Sequence, residues 1–166
     1  RAVTTKLPQT HLLLIGGGDL HNDLSRQAAE LGIADRVCFT GPRSDVEELL
    51  PCIDLFVSSS RWEGLSTVIL ESMASGTPVV ATAVGGAGEI LTDGHNGWLS
   101  PPADPSALAD TILRAYHARS SWRAVRERAL KTVMSFSIDA VARQHEELYV
   151  RLLGRRRSAR SMTNPE

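Results

Sequence analysis

The chain is predicted to be of the α/β class, a doubly wound parallel sheet with helices on both faces. Three observations predict this. Short apolar runs sit beside glycine or serine clusters: Leu12-Leu13-Leu14-Ile15 runs into Gly16-Gly17-Gly18, Leu55-Phe56-Val57 into Ser58-Ser59-Ser60, and Val79-Val80-Ala81 follows Gly76-Thr77-Pro78. Runs of this kind mark strands covered on both faces, as parallel sheets are. Segments with apolar residues at helical spacing alternate with them, such as Leu20, Leu24, Ala28 and Leu31. Finally, 166 residues with 42% hydrophobic and 22% charged content fit an ordinary globular chain of one domain with its own core.

Taken in order, residues 1–9 are short and polar, and residues 11–15 form the first strand. Gly16, Gly17 and Gly18 turn the chain into a helix over about 19–31, with Leu20, Leu24, Gln27, Ala28 and Leu31 on one stripe. A dinucleotide fingerprint needs a further glycine three positions after Gly18, where His21 stands, so that reading is poor. Residues 36–40 are the next strand, ending at Gly41-Pro42. Residues 45–50 are a short helix whose acidic first turn suits the helix dipole. Residues 55–58 are a third strand.

From Arg61 to Thr82 a loop, a helix and a strand follow one another directly. Ser66 or Thr67 can cap the helix start, because a hydroxyl there accepts from first-turn N–H groups that have no helical partner. Gly76 can end it, and Pro78 sets an extended entry to the strand at 78–81. Free amides around Gly64, Leu65, Ser66 and Thr67 would lie at the positive helix end, where phosphate or sugar oxygens bind well. Glu63 and Glu71 can each take hydroxyl donors from a sugar diol, in charge-assisted bonds roughly twice as strong as neutral ones. The simpler alternative is that Glu63 only complements the helix dipole and Glu71 is a solvated helix residue.

Gly85 and Gly86 lie in the loop after this strand and let the backbone approach either a ligand or a neighbouring segment. A short helix containing Glu89, Ile90 and Leu91 follows. Asp93-Gly94 and Asn96-Gly97 are turn pairs around a last strand at 97–99. Helices are expected from residue 106, with Leu108, Ile112, Leu113 and Tyr116 on one face, then over about 121–134 and 139–153. Residues 154–166 read as a basic, disordered tail.

Composition narrows the partners. A net charge of −1 argues against a general nucleic-acid binder, since phosphate-backbone affinity needs clustered cations. Cys38 and Cys52 have no metal-like spacing and suggest no disulfide framework, so both are expected in the core of a protein from a reducing, cytoplasmic compartment. His117 and His145 have no clustered partners and read as surface residues, and no metal site is expected. No apolar run approaches the about 20 residues a membrane helix needs, and no secretory signal opens the chain. The basic tail beside Leu152 and Leu153 is a candidate for peripheral contact with the inner face of a membrane, a solvated tail being the simpler alternative.

In combination these residues resemble the C-terminal, donor-binding half of a glycosyltransferase of family 4 (group 1), with GT-B fold. The resemblance rests on Glu63 and Glu71 with seven residues between them, on Gly64, and on Glu71-Ser72-Met73-Ala74-Ser75-Gly76-Thr77-Pro78-Val79-Val80. It continues through Gly85-Gly86, Glu89-Ile90 and Asp93-Gly94-His95-Asn96-Gly97-Trp98-Leu99, and covers roughly residues 11–150.

The resemblance implies a Rossmann-like domain over residues 1–153 that binds a nucleotide-diphosphate sugar as substrate. The enzyme would move the sugar to an acceptor with retention of configuration, without a cofactor or obligatory metal, in polysaccharide biosynthesis. Glu63 would face the donor sugar as the catalytic carboxylate and Glu71 would hold the ribose. The amides of Gly64, Leu65, Ser66 and Thr67 would meet sugar or diphosphate. Gly16, Gly17 and Gly18 would lie close to the cleft, Thr40 and Gly41, with the loop to Arg43, at the base, and Gly85 and Gly86 against the ligand.

The sequence also departs from the family pattern. Members carry an acceptor-binding domain ahead of this one, and a first strand followed by an Arg and a Lys that neutralise the diphosphate. Neither is found here, and Ser66 stands where many members have glycine. The expectation is therefore a donor half completed by an N-terminal domain or a second chain. The alternative is a non-catalytic nucleotide-sugar-binding or partner-binding subunit. The place of the absent strand, between those at 11–15 and 55–58, would be closed by their direct pairing, by residues 1–9, or by another copy of the chain.

Overall fold

The computed structural model describes residues 1–162, with side chains described through Gly154. From the amino terminus the elements are α1 (Ala2–Lys6), β1 (Leu12–Ile15), α2 (His21–Glu30), β2 (Val37–Gly41), α3 (Val46–Leu49), β3 (Phe56–Ser58) and α4 (Thr67–Ala74). They continue with β4 (Val79–Thr82), α5 (Ala87–Ile90), β5 (Trp98–Ser100), α6 (Pro105–His117), α7 (Trp122–Met134) and α8 (Ile138–Met162).

Every strand pairing within the named strands is parallel. β1 pairs with β2, Leu12 opposite Val37, and the register shifts between Leu14 and Ile15 so that Ile15 meets Gly41. β4 lies between β3 and β5, with Val57 opposite Val80 and Ala81 opposite Leu99. Its four residues are all buried. Their side chains alternate across the sheet, as strand geometry requires. Val79 and Ala81 join Ile69 and Met73 of α4, Ile90 of α5, Leu91 and Ala129 of α7. Val80 joins Trp98, Ala115 of α6 and Val125 of α7, with Leu108, Ile112 and Trp122 packed around them. Helices thus cover both faces of this sheet, which is the doubly wound arrangement.

Local chemistry sets the element ends. Asp104 caps α6 by accepting from the amides of Ser106 and Ala107 at 3.0 and 2.9 Å, with Pro105 in the first turn. α4 ends in a paired motif: the Gly76 N–H donates to the Met73 carbonyl at 3.1 Å and the Thr77 N–H to the Ser72 carbonyl at 2.9 Å. Gly76 makes this turn at φ +77°, a conformation glycine adopts freely.

Several expectations are corrected. The strands do not form one sheet: β1 and β3 do not pair with each other, and residues 1–9 carry a short helix packed on α6 instead of a strand. β1 therefore has only β2 beside it, and Leu12 and Leu13 are 46% and 39% exposed, not covered on both faces. Leu20, Leu24 and Leu31 of the α2 stripe are exposed for the same reason, while Ala28 is buried. Cys38 and Cys52 are exposed thiols, not core residues, because both sit in or near the less covered amino-terminal half. Finally, α8 does not stop at residue 153 but runs to Met162, since Arg, Ser and Ala are all compatible with a helix. Of the tail expected to be disordered, residues 163–166 lie outside the described residues.

Candidate functional site

The loop between β3 and α4, which carries Glu63, is held from two sides. At its start the Ser60 hydroxyl donates to Oε2 of Glu63 at 2.7 Å. The Ser60 carbonyl accepts from the hydroxyl of Thr82, the last residue of β4, at 2.6 Å. Further on, the Gly86 N–H donates to the Gly64 carbonyl at 2.9 Å. The glycine pair is needed for this approach. A β-carbon at Gly85, where φ is +49°, would lie 1.7 Å from the Glu63 carbonyl oxygen. One at Gly86 would lie 3.0 Å from Leu65 Cδ1 and 3.1 Å from the Gly64 carbonyl oxygen. Between the two uses the sequence left open, the structure displays close packing of backbone on backbone.

α4 starts at Thr67, with Ser66 as its N-cap. The expected hydroxyl cap is not made by Ser66: its side chain is turned inward, 5% exposed, and takes no bond from the first-turn amides. Those amides thus have no side-chain cap from the N-cap residue, at the end of the helix where partial positive charge collects. Leu65 is 50% exposed beside them and Trp62 is 86% exposed. Glu71, in the second turn of α4, is exposed, and its carboxylate makes no hydrogen bond or ion pair with a described residue. Glu63 is half-buried, and only its Oε2 is engaged.

The other expected residues gather at the ends of β1 and β2. The Gly16 N–H donates to the Gly41 carbonyl at 3.0 Å, with φ of +125° and +69° at the two glycines. Thr40 turns its hydroxyl back onto the backbone, donating to the carbonyls of Gly41 at 2.9 Å and Leu14 at 3.4 Å. Gly17 lies against the Pro42 ring, and Gly18 faces open space. His21, opening α2, sets its ring edge-on to Phe39 with centroids 4.9 Å apart. Arg43 is paired with Asp45, and this hydrogen bond holds the Asp45 carboxyl below the usual carboxylate range. The structure therefore brings Gly16, Gly17 and Gly18 together with Thr40 and Gly41, and separately Glu63–Thr67 with Gly85 and Gly86. Among the described residues no hydrogen bond joins the two groups.

Both groups follow the carboxyl ends of parallel strands, where ligands bind in open α/β sheets. Ser60 and Thr82 are the residues that sequence reasoning missed. Ser60 stands three positions before Glu63, a spacing that allows a local side-chain bond, but its link to Thr82 spans 22 residues and has no local signal. Among the described residues no group of three or more His, Cys, Asp or Glu side chains is placed to hold a metal ion. No helix among them is long and apolar enough to cross a membrane.

The profile of the family described as Glycosyl transferases group 1 matches residues 1–118. The lipopolysaccharide core biosynthesis glycosyltransferase LpsE of Rhizobium meliloti is 36% identical over 149 residues, 89% of this chain and 43% of that protein. The structure of Anabaena Alr3699/HepE in complex with UDP superposes with a TM-score of 0.77 at 29% identity, over 90% of this chain and 44% of that one. Sucrose-phosphate synthase from Thermosynechococcus elongatus does so with a TM-score of 0.78 at 32% identity, over 92% of this chain and 41% of that one. The chain thus spans less than half the length of these relatives.

Proposed function

The chain belongs to the group 1 glycosyl transferases, and on that premise we propose that it is the C-terminal, donor-binding half of a family 4 enzyme. In this reading a nucleotide-diphosphate sugar binds at the strand ends and its sugar passes to an acceptor with retention of configuration, the acceptor being held by a separate N-terminal domain or second chain. The observation that carries the proposal is the Glu63 loop: one carboxylate oxygen fixed and the other free, directly before a helix start whose amides lack a hydroxyl cap from Ser66. Dipoles fixed in advance around a leaving phosphate are an effective catalytic device, because they need no reorganisation as charge develops.

The roles divide along the chain. Glu63, in the loop, faces the sugar. The amides from Gly64 to Thr67 meet sugar or diphosphate oxygens, and Glu71, a turn into α4, accepts from the ribose diol. Gly16, Gly17 and Gly18 with Thr40 and Gly41 form the nucleotide side. Binding of UDP by a relative such as HepE supports a nucleotide as ligand. The reading also places the protein in the cytoplasm. The basic residues after Gly154 are the segment that would meet an anionic membrane, and their side chains lie outside the described residues.

The test is calorimetry with UDP, GDP and their sugar conjugates. Glu71→Ala should weaken free nucleoside diphosphate by about 1.5 to 3 kcal/mol, the range for a hydrogen bond to a charged group. Glu63→Ala should spare the free diphosphate and cost affinity only when the sugar is present. Equal losses for both ligands from both variants would show that the division of roles is wrong.

A further inference from the structure

We infer that Ser60 is a positioning residue for Glu63 and that the central strand β4, through Thr82, anchors it. The inference rests on the reading that Glu63 meets the donor sugar. A glutamate side chain has three rotatable bonds, and an unrestrained one in a loop would spread over many rotamers. Here the Ser60 hydroxyl holds Oε2 at 2.7 Å. Ser60 itself is not adrift, because its carbonyl takes the Thr82 hydroxyl at 2.6 Å, and Thr82 is 4% exposed at the end of the strand that centres the larger sheet.

The backbone is held as well. Gly85 leaves no room for a β-carbon beside the Glu63 carbonyl, and Gly86 donates to the carbonyl of the next residue at 2.9 Å. Main chain and one carboxylate oxygen are thus restrained together, and Oε1 takes no partner among the described residues. A group held this way loses little freedom when a ligand hydroxyl arrives, which favours both affinity and geometry. Ser60 makes no ligand contact in this account. It acts through Glu63.

Saturation-transfer NMR and calorimetry on the whole chain test this, with UDP, UDP-glucose, GDP and GDP-mannose as probes. The quantity read is the preference for the better nucleotide sugar over its own nucleoside diphosphate. Ser60→Ala should cut that preference by about threefold to tenfold, the net worth of one hydrogen bond, and leave free-diphosphate affinity within about twofold. Ser60→Thr, which keeps the hydroxyl, should restore it. In a Glu63→Ala background Ser60→Ala should have little further effect, because the carboxylate that Ser60 holds is already gone. A Glu63→Ala loss with no Ser60→Ala loss would overturn the positioning role alone. An equal Ser60→Ala loss in the presence and absence of the Glu63 carboxylate would do the same. No effect of Glu63→Ala, or no binding of any probe, would overturn the donor reading and this inference with it.

Discussion

Gly85 and Gly64 are both glycines of the same loop contact, yet they should respond differently to a methyl group. At Gly85 the added carbon meets a carbonyl oxygen at 1.7 Å and the backbone is left-handed at φ +49°. The left-handed conformation alone costs an L-residue about 1 to 2 kcal/mol, and the backbone overlap cannot be relieved by turning a side chain. Gly85→Ala is therefore expected to destabilise the fold by more than about 2 kcal/mol in urea denaturation. Gly64 and Gly18 face open space without a positive φ. Their alanine variants should stay within about 0.5 kcal/mol of the parent, so that any loss of donor binding reports close approach of the ligand. A parent-like stability for Gly85→Ala would mean that the two loops are not in the contact described.

Between elements, the turn from α5 to β5 is fastened by polar side chains. Asn96, 3% exposed, accepts from the Thr92 N–H at 2.7 Å and donates to the Ile90 carbonyl and the Thr132 hydroxyl, both at 3.0 Å, which ties the turn to α7. Asp93 takes two bonds from Arg114 of α6, at 2.8 and 3.0 Å, and one from the Leu99 N–H at 2.8 Å. The hydrogen bond from Arg114 holds the Asp93 carboxyl below the usual carboxylate range. A carboxyl depressed in the folded state contributes stability above its unfolded pKa of about 3.9, and that contribution fades as pH falls through the folded value. Both side chains are nearly half exposed, so the pair is worth no more than about 1 kcal/mol. Asp93→Asn keeps an oxygen for Leu99 and removes the charge. Its melting temperature should lie below the parent's near neutral pH and converge with it only once the pH falls below the usual carboxylate range, and a gap that persists unchanged in acid would assign the effect to something other than the ion pair.

At the level of the molecule, the proposed reading assigns half of a two-domain cleft to this chain. A diphosphate bound to one wall stays in contact with water, where each electrostatic contact is weaker than in a closed site. Affinity in the millimolar range, about 4 kcal/mol, is expected for nucleotide sugars. Transfer by these residues alone is expected to be undetectable, because orienting two reactants supplies about 7 to 11 kcal/mol of a barrier and the proposed reading puts the acceptor on a separate domain or chain. Turnover by the purified chain with a nucleotide sugar and a glycan acceptor would refute the half-cleft reading. The exposed Leu12 and Leu13 on a strand paired only with β2 belong to the same scale, since their environment depends on what lies beside that edge.

What the sequence by itself determined is local. Apolar runs beside glycine or serine marked the strands, helical spacing marked the longer helices, and Gly76-Thr77-Pro78 marked the stop of α4, because each follows from dihedral preference and side-chain period within a few residues. The spacing of Glu63 and Glu71 and the residues after them also sufficed to name the family. Only the tertiary structure decided that the strands divide into two sheets, that Leu12, Cys38 and Cys52 are exposed, and that Ser66 turns inward instead of capping α4. It alone brought Thr82 to Ser60 and Gly85 to Glu63, contacts across 22 residues each. Burial and such contacts depend on which strand ends meet in space, and no periodicity within a segment encodes that.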